Sequence, residues 1–194
     1  MTTKLILIRH GQTEWNLKKR YCGSTDLSLN QRGRQQVNKL RKKLKGELVH
    51  EVYVSDRKRA IETAEIAFNG FKIKRIPDLR EIHFGVFEGL NHKQIKREFG
   101  AIYEKWLKDP YSITIPGGES LRYFKKRITA AIKNIAAGNN KKTVAVVCHG
   151  GVISVFLNYV LKEKNFWKHI PDSASMTVVE LESGRACVKI FNEV

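Results

Sequence analysis

The sequence predicts an α/β fold, a three-layer α/β/α sandwich around a mostly parallel central sheet. Two uninterrupted apolar runs, 5–8 and 144–148, are typical of strands that are covered on both faces. Segments with apolar residues at helical spacing lie between them. A chain of 194 residues can bury a substantial core and suits a single domain, which we expect to span residues 1–194.

The N-terminal half alternates strands with helices. A helix predicted at 29–45 ends at Gly46, and a second one begins at a cap formed by Ser55 or Asp56 and runs to about Phe68. We expect the first turn of this second helix, near Arg57, to offer backbone donors to an anion. The predicted strands of this half are 4–8, 51–55 and 73–76.

The C-terminal half continues the alternation after a loop punctuated by prolines and glycines. The pattern predicts helices at 91–108, at 121–137 between a Ser120 cap and a Gly138 stop, and at 152–161. A buried strand is expected at 144–147. Two alternating segments, 177–181 and 186–190, predict edge strands.

Both buried apolar runs end in a histidine followed by glycine, His10-Gly11 and His149-Gly150. Ligands collect just beyond the carboxyl ends of parallel strands, so both histidines are expected at one rim of the sheet. A lone histidine there is more often satisfied by a local hydrogen bond than catalytic. Two histidines together with Arg9 and Arg59 favour a phosphate pocket. A zinc site needs a third ligand and the arginines would repel it, so we expect no metal.

The formal charge of +17 favours anionic partners, which include nucleic acid, acidic membranes and phosphorylated metabolites. The densest basic stretch, 39–45, keeps apolar residues at helical spacing and is interpreted as the solvated face of a helix. No helix-turn-helix, zinc-finger or RNA-binding motif accompanies the charge. Nucleic acid is therefore an unlikely partner, and a small phosphorylated metabolite is preferred.

The compartment is predicted from cysteines and apolar segments. Cys22, Cys148 and Cys187 are odd in number and widely spaced, which favours a reducing cytoplasm. The first apolar stretch is too short for a signal peptide. The uncharged segment 143–161 is interrupted by His149, two glycines and an asparagine, so we expect no membrane span.

Six segments, in this order, resemble the histidine phosphatase family, also called the phosphoglycerate mutase-like family, whose fold is therefore expected here. The resemblance extends from about residue 4 to 181. Its segments are 9–16, 21–26, 55–60, 81–89, 116–120 and 148–151.

The resemblance implies a role for each residue that matches the family motifs. It also implies that no cofactor is needed. His10 would be the nucleophile that forms a phosphohistidine, and Glu81 would protonate the leaving alcohol and then deprotonate water. The residues implied to hold phosphoryl oxygens are Arg9, Arg59 and His149. Those implied to bind substrate are Asn16, Cys22, Gly23 and Gly150. Arg57 departs from the family pattern and offers another phosphate contact.

The interval between Glu81 and Pro116 is compact, and a short lid favours hydrolysis because a mutase must exclude water from its phosphohistidine. Trp106, Asp109-Pro110 and the 116–120 loop are most similar to the α-ribazole phosphatase branch. We therefore predict a metal-independent phosphomonoester hydrolase, acting on α-ribazole 5′-phosphate in cobalamin synthesis. Substrate choice is expected to depend on side chains in 83–92 and 98–111.

Three different functions stay compatible with the sequence. A broad-specificity phosphatase and a phosphoglycerate mutase-type phosphotransferase use the same residues. A basic nucleic-acid-binding protein with an inactive phosphatase fold is a weaker hypothesis, motivated by the charge. Dimers are common among such relatives, so a homodimer is one expectation for the assembly.

Overall fold

A computed structural model describes residues 2–182 and 185–194. It confirms the predicted alternation of strands and helices along the chain. The strands are β1 (Thr3–Arg9), β2 (Glu51–Val54), β3 (Ile73–Arg75), β4 (Thr143–Cys148), β5 (Met176–Glu182) and β6 (Arg185–Glu193). The helices are α1 (Glu14–Leu17), α2 (Gln31–Lys43), α3 (Lys58–Ala67), α4 (His92–Lys108), α5 (Leu121–Ala137) and α6 (Gly150–Val160), with 3₁₀ turns at Pro77–Leu79, Gly85–Phe87 and Phe166–His169.

One six-stranded sheet has the order β3-β2-β4-β1-β5-β6. Its first four strands in this order are parallel, and β5 and β6 are antiparallel additions. In the central pair, Arg9 is opposite Cys148, so β1 and β4 end at the same level. The residues that follow them, His10 and His149, are therefore neighbours at one rim, as predicted. Strands from both ends of the chain share this sheet, which supports the single domain we propose.

Residues of β1 point alternately to the two faces of the sheet. Leu5 and Leu7 pack with α5 and α6, whereas Ile6 and Ile8 pack with α2 and α3. Both faces are thus covered by helices, and the predicted three-layer sandwich is confirmed. A third, aromatic cluster joins α4 to the loops above the sheet rim. Its buried members are Phe87, Ile95, Tyr103, Trp106 and Ile115.

The prediction that 177–181 is an edge strand is wrong. β5 lies between β1 and β6, and its residues 176–179 are all buried. The polar Thr177 is itself buried, and its hydroxyl accepts a hydrogen bond from the N–H of Asn192 in β6. The edges of the sheet are β3 and β6.

The predicted cap of α3 is also wrong. The N-cap residue is Arg57, without a side-chain cap, and the N–H of Lys58 donates to Asp26 Oδ1 at 2.7 Å. A carboxylate distant in sequence therefore takes the backbone donor that we expected to serve a phosphate. The side chains of Ser55 and Asp56 have other partners, His149 and Arg80 respectively.

No helix within the described ranges is long and apolar enough to cross a membrane. The uncharged stretch that begins at Thr143 is instead divided between β4 and α6, with the turn at His149 between them. Helix α6 starts at Gly150, two residues before the predicted start, and residues 150–158 are all buried.

The loop after β1 depends on a close approach to α2. A Cβ added at Gly33 would lie 2.1 Å from the backbone oxygen of Gln12. We therefore expect Gly33→Ala to lower the free energy of unfolding by about 2–3 kcal/mol, because backbone must move to admit the methyl group. Urea unfolding measures this loss. Gly100→Ala is the matched control: its Cβ would meet nothing within 4 Å, so a comparable loss there would contradict the explanation.

Candidate active site

A pocket of about 330 Å³ opens at the rim where β1 and β4 end. Its lining combines the charged or polar residues Arg9, His10 and Glu81 with several aromatic side chains. The lining residues are Arg9, His10, Asn16, Lys19, Arg20, Tyr21, Cys22, Glu81, Phe84, His92, Gly150, Gly151, Phe166, Trp167 and Ile170.

His10 is buried, and its ring orientation is set by the backbone. Nδ1 lies 2.8 Å from the carbonyl oxygen of Gly11, which can only accept, so Nδ1 carries the proton and Nε2 has the lone pair. Burial lowers the pKa of His10 well below 6.5, and the nearby Arg59 and Arg9 charges lower it further. The ring is therefore neutral at neutral pH, with Nε2 able to act as a nucleophile.

His149 lies beside His10, with the ring centroids 5.2 Å apart. Its Nε2 is 2.8 Å from Ser55 Oγ, and both residues are fully buried. Burial, followed by the charge of Arg59, lowers the pKa of His149 well below 6.5, so this ring is neutral as well. In the tautomer whose Nε2 accepts from the Ser55 hydroxyl, the ring proton is on Nδ1. Nδ1 is buried without a partner among the described residues, so in this tautomer it is a donor available to a phosphoryl oxygen.

Three arginines surround the histidines. Arg9 Nη1 donates to the carbonyl oxygen of Pro171. Arg59 donates from Nη1 to the carbonyl oxygen of Thr25 at 2.7 Å and from Nη2 to that of Gly23 at 2.9 Å. These bonds fix the guanidinium planes. The Nε atoms of Arg9, Arg57 and Arg59 are buried without partners in the described part of the chain. Buried cationic donors left in this way fit an anion with several acceptor oxygens.

The Glu81 carboxyl is held by two backbone donors. Gly151 N–H donates to Oε2 at 2.9 Å, and Ile82 N–H donates to Oε1 at 3.0 Å. A Cβ at Gly151 would lie 2.4 Å from Oε1, so only glycine permits this approach. Burial raises the pKa of Glu81, although both hydrogen bonds and two arginines oppose the shift. The site thus holds a carboxyl whose pKa is raised and a neutral histidine in the same pocket.

Three of the residues predicted to bind substrate, Asn16, Cys22 and Gly150, line the pocket. Asn16 Oδ1 accepts from the N–H and hydroxyl of Thr13, both at 3.0 Å, which leaves its Nδ2 as a donor. Burial raises the pKa of Cys22 to about 11, so its thiol stays protonated.

Gly23 does not line the pocket. Its N–H donates to Glu88 Oε1 at 2.9 Å, and its carbonyl accepts from Arg59. A Cβ there would lie 2.0 Å from the carbonyl oxygen of Ile82. In the structure Gly23 supports Arg59 and both of its backbone groups are occupied, while its contact with substrate stays a prediction. Arg59 and His149 are also not among the lining residues, although the His149 ring lies 5.2 Å from the ring of His10.

Several pocket residues were missed by sequence reasoning. Phe166 and Trp167 come from a 3₁₀ turn after α6, and Ile170 follows them. The adjacent aromatic residues Phe166 and Trp167, in an otherwise polar segment, were the sequence signal that could have indicated a binding surface. Ser55 was interpreted as a helix cap, and its contact with His149 joins two segments 94 residues apart in sequence, which no local pattern reveals.

No group of three or more His, Cys, Asp or Glu side chains within 2–182 and 185–194 is placed to hold a metal ion. The charges that converge at the rim are guanidinium groups. A phosphoryl group, rather than a cation, is the species that such surroundings stabilise.

The chain belongs to the histidine phosphatase superfamily (branch 1), whose family model matches residues 5–194. It is a phosphatase with a histidine nucleophile, as predicted. The "Metal-independent phosphoserine phosphatase" of Arabidopsis thaliana is 32% identical over 99% of this chain and 82% of that protein. The "Adenosylcobalamin/alpha-ribazole phosphatase" of Salmonella typhimurium is 26% identical over 97% of this chain and 96% of that protein.

Among solved structures, Bacillus stearothermophilus YhfR superposes with a TM-score of 0.93 at 29% identity, covering 99% of this chain and 98% of that one. The phosphoglycerate mutase-like fold that the sequence predicts is thus confirmed. The resemblance seen in six short segments extends over the whole sheet.

The opposite pKa shifts of His10 and Glu81 predict a bell-shaped pH dependence of kcat/KM for an alkyl phosphate. Activity needs neutral His10, so it is lost only as pH falls through a pKa well below 6.5. It also needs protonated Glu81, so it falls as pH rises through a pKa above 4.5. In Glu81→Gln the fall on the alkaline side should disappear. The same alkaline limb in this variant would contradict the assignment.

Proposed function

We propose that this phosphatase hydrolyses small phosphomonoesters, without a metal ion, through a phosphohistidine at Nε2 of His10. One observation carries the proposal. A neutral imidazole, fixed through Nδ1 by Gly11, directs its lone pair into a pocket surrounded by arginine donors that lack a partner among the described residues. The arginines take the part that a metal ion has in other phosphatases, which is to offset the charge of the phosphoryl oxygens.

In the first step, Nε2 of His10 attacks phosphorus as the bond to the ester oxygen breaks. Glu81 gives its proton to the leaving oxygen, so the alcohol departs neutral. Arg9, Arg59 and Nδ1 of His149 donate to the phosphoryl oxygens. Their donors are preorganised by bonds to backbone carbonyls and to Ser55, so little reorganisation accompanies the reaction.

In the second step, the Glu81 carboxylate takes a proton from a water molecule that attacks the phosphorus of phosphohistidine. The P–N bond breaks, phosphate leaves, and neutral His10 and protonated Glu81 are restored. The raised pKa of Glu81 suits both duties, because the carboxyl must give a proton in one step and regain it in the next.

His10→Ala should lower kcat/KM by at least about a thousandfold, because it removes the proposed nucleophile. Wild-type enzyme quenched during turnover, with chelator present, should contain acid-labile phosphate that His10→Ala lacks. His50→Ala is the control, because His50 lies at the opposite end of the sheet and accepts a hydrogen bond from Thr143 N–H. Turnover by His10→Ala, or loss of wild-type turnover on chelation, would contradict the proposal.

For the substrate, we infer α-ribazole 5′-phosphate, an intermediate of cobalamin synthesis. The pocket wall carries Tyr21, Phe84, Phe166 and Trp167, and such faces can stack on a flat heteroaromatic base. The full-length similarity to the Salmonella protein named for α-ribazole supports the same choice.

A phosphorylated amino or hydroxy acid is the second candidate. Lys19 and Arg20 line the pocket, and Arg20 Nη1 is held at 3.0 Å from the carbonyl oxygen of Gly89. These cations would suit a substrate carboxylate. The Arabidopsis relative named for phosphoserine is the more similar of the two in sequence.

Phosphate release from α-ribazole 5′-phosphate, phosphoserine, 3-phosphoglycerate and p-nitrophenyl phosphate separates the candidates. Trp167→Ala should lower kcat/KM for the ribazole ester about tenfold or more, by loss of stacking, and change phosphoserine hydrolysis little. If a substrate carboxylate is bound, Lys19→Ala should instead lower kcat/KM for phosphoserine and change hydrolysis of the ribazole ester little. Preference for phosphoserine in the wild type would overturn the ribazole assignment.

A broad-specificity phosphatase and a mutase-type phosphotransferase would give different results in the same assay. Similar slow release from all four esters indicates a broad-specificity phosphatase. Transfer of phosphate between hydroxyl groups of 3-phosphoglycerate, with little release, indicates a mutase-type phosphotransferase.

A further inference from the structure

Arg127 of α5 lies outside the pocket, yet it holds the chain segment that carries Glu81. Its Nη1 donates to the carbonyl oxygens of Asp78 at 2.8 Å and Arg80 at 2.9 Å, and its Nη2 donates to that of Glu81 at 3.3 Å. Its Nε and Nη2 also donate to the two carboxylate oxygens of Glu119, at 2.6 and 2.8 Å. All five N–H bonds of one guanidinium group are therefore used.

The guanidinium group is itself fixed by Glu119 and Phe124. Glu119 binds it in a bidentate manner, and the side chains of Arg127 and Glu119 are only 15% and 13% exposed. The ring of Phe124, one turn earlier in α5, lies 4.8 Å from the guanidinium carbon. Glu119 N–H donates to the carbonyl oxygen of His83 at 2.9 Å. The loop containing Glu119 thus contacts the Glu81 segment independently of Arg127.

The Glu81 segment needs such support because residues 80–84 belong to no helix or strand. No ladder of backbone hydrogen bonds fixes their positions. The carboxyl meets Gly151 of α6 at 2.9 Å, and a shift of about 1 Å would break this bond and misplace the acid. The three hydrogen bonds from Arg127 to the carbonyl oxygens of residues 78, 80 and 81 oppose that shift.

The geometry points to Arg127 as a positioning residue for proton transfer: through the backbone of residues 78–81, it holds the Glu81 carboxyl where the leaving oxygen must be protonated. This inference rests on the proposed role of Glu81. It also gives Glu119 a definite function, since its carboxylate orients Arg127 toward the three carbonyl oxygens.

The test uses three esters of similar shape whose leaving groups differ in acidity: p-nitrophenyl, phenyl and benzyl phosphate. Protonation by an acid matters least for the nitrophenolate and most for the benzyl alcohol. The value of kcat/KM reports steps up to phosphoryl transfer to histidine, so breakdown of the phosphohistidine does not mask the effect. A merely structural defect would lower all three values by the same factor.

Arg127→Ala should lower kcat/KM about tenfold for benzyl phosphate and about twofold or less for p-nitrophenyl phosphate, with phenyl phosphate between them. Glu81→Gln should show the same order with larger losses. Lys126→Ala, which removes an exposed charge from the adjacent position of α5, is the control and should leave all three values unchanged.

Equal losses for the three esters in Arg127→Ala, or no loss for benzyl phosphate, would overturn the inference. If Arg127→Ala does not unfold cooperatively on heating, Arg127→Lys decides: it keeps the charge but loses the planar fork, and should show the same order of losses. If Glu81→Gln loses more kcat/KM for benzyl phosphate than for p-nitrophenyl phosphate but the Arg127 variants do not, only the role of Arg127 is overturned. If Glu81→Gln loses the same factor for all three esters, the role of Glu81 as the acid is overturned as well.

Discussion

The parallel pairing of β1 with β4 is the constraint from which the active site follows. Because Arg9 is opposite Cys148, both strands end at one level, and the next residue of each is a histidine. A slip of one residue would turn the apolar side chains of β1 from one helical layer toward the other. The packing of Leu5 and Leu7 against α5 and α6 therefore secures the same register that places His10 beside His149.

Burial of this rim sets the protonation states on which the proposed chemistry depends. The same loss of solvent lowers the pKa values of His10 and His149 and raises that of Glu81, since it disfavours the charged form of each group. The positive charges of the arginines lower the pKa values of the histidines further, and they oppose the rise in the pKa of Glu81. The opposite shifts therefore raise the fraction of molecules that hold a neutral nucleophile and a protonated acid together, relative to the same residues in water.

The two sides of the site are stabilised in different ways. His10 and His149 continue regular strands and gain rigidity from the sheet. The acid segment is irregular, and its carbonyls find donors in one arginine of α5. Other supports are equally remote in sequence: Asp26 takes the N–H at the start of α3, and Glu88 takes that of Gly23.

The sequence by itself determined the alternation of strands and helices, the common rim of His10 and His149, and the phosphatase family, because continuous apolar runs and helical spacing are local patterns and the motifs are short. Only the tertiary structure decided that β5 is internal, that Gly23 supports Arg59 instead of lining the pocket, and that Ser55 contacts His149 instead of capping a helix. It also decided which aromatic residues form the pocket wall. The physical reason is the same in each case: these outcomes depend on which distant backbone group or side chain satisfies a buried donor or covers an apolar face, and sequence spacing does not encode that partner.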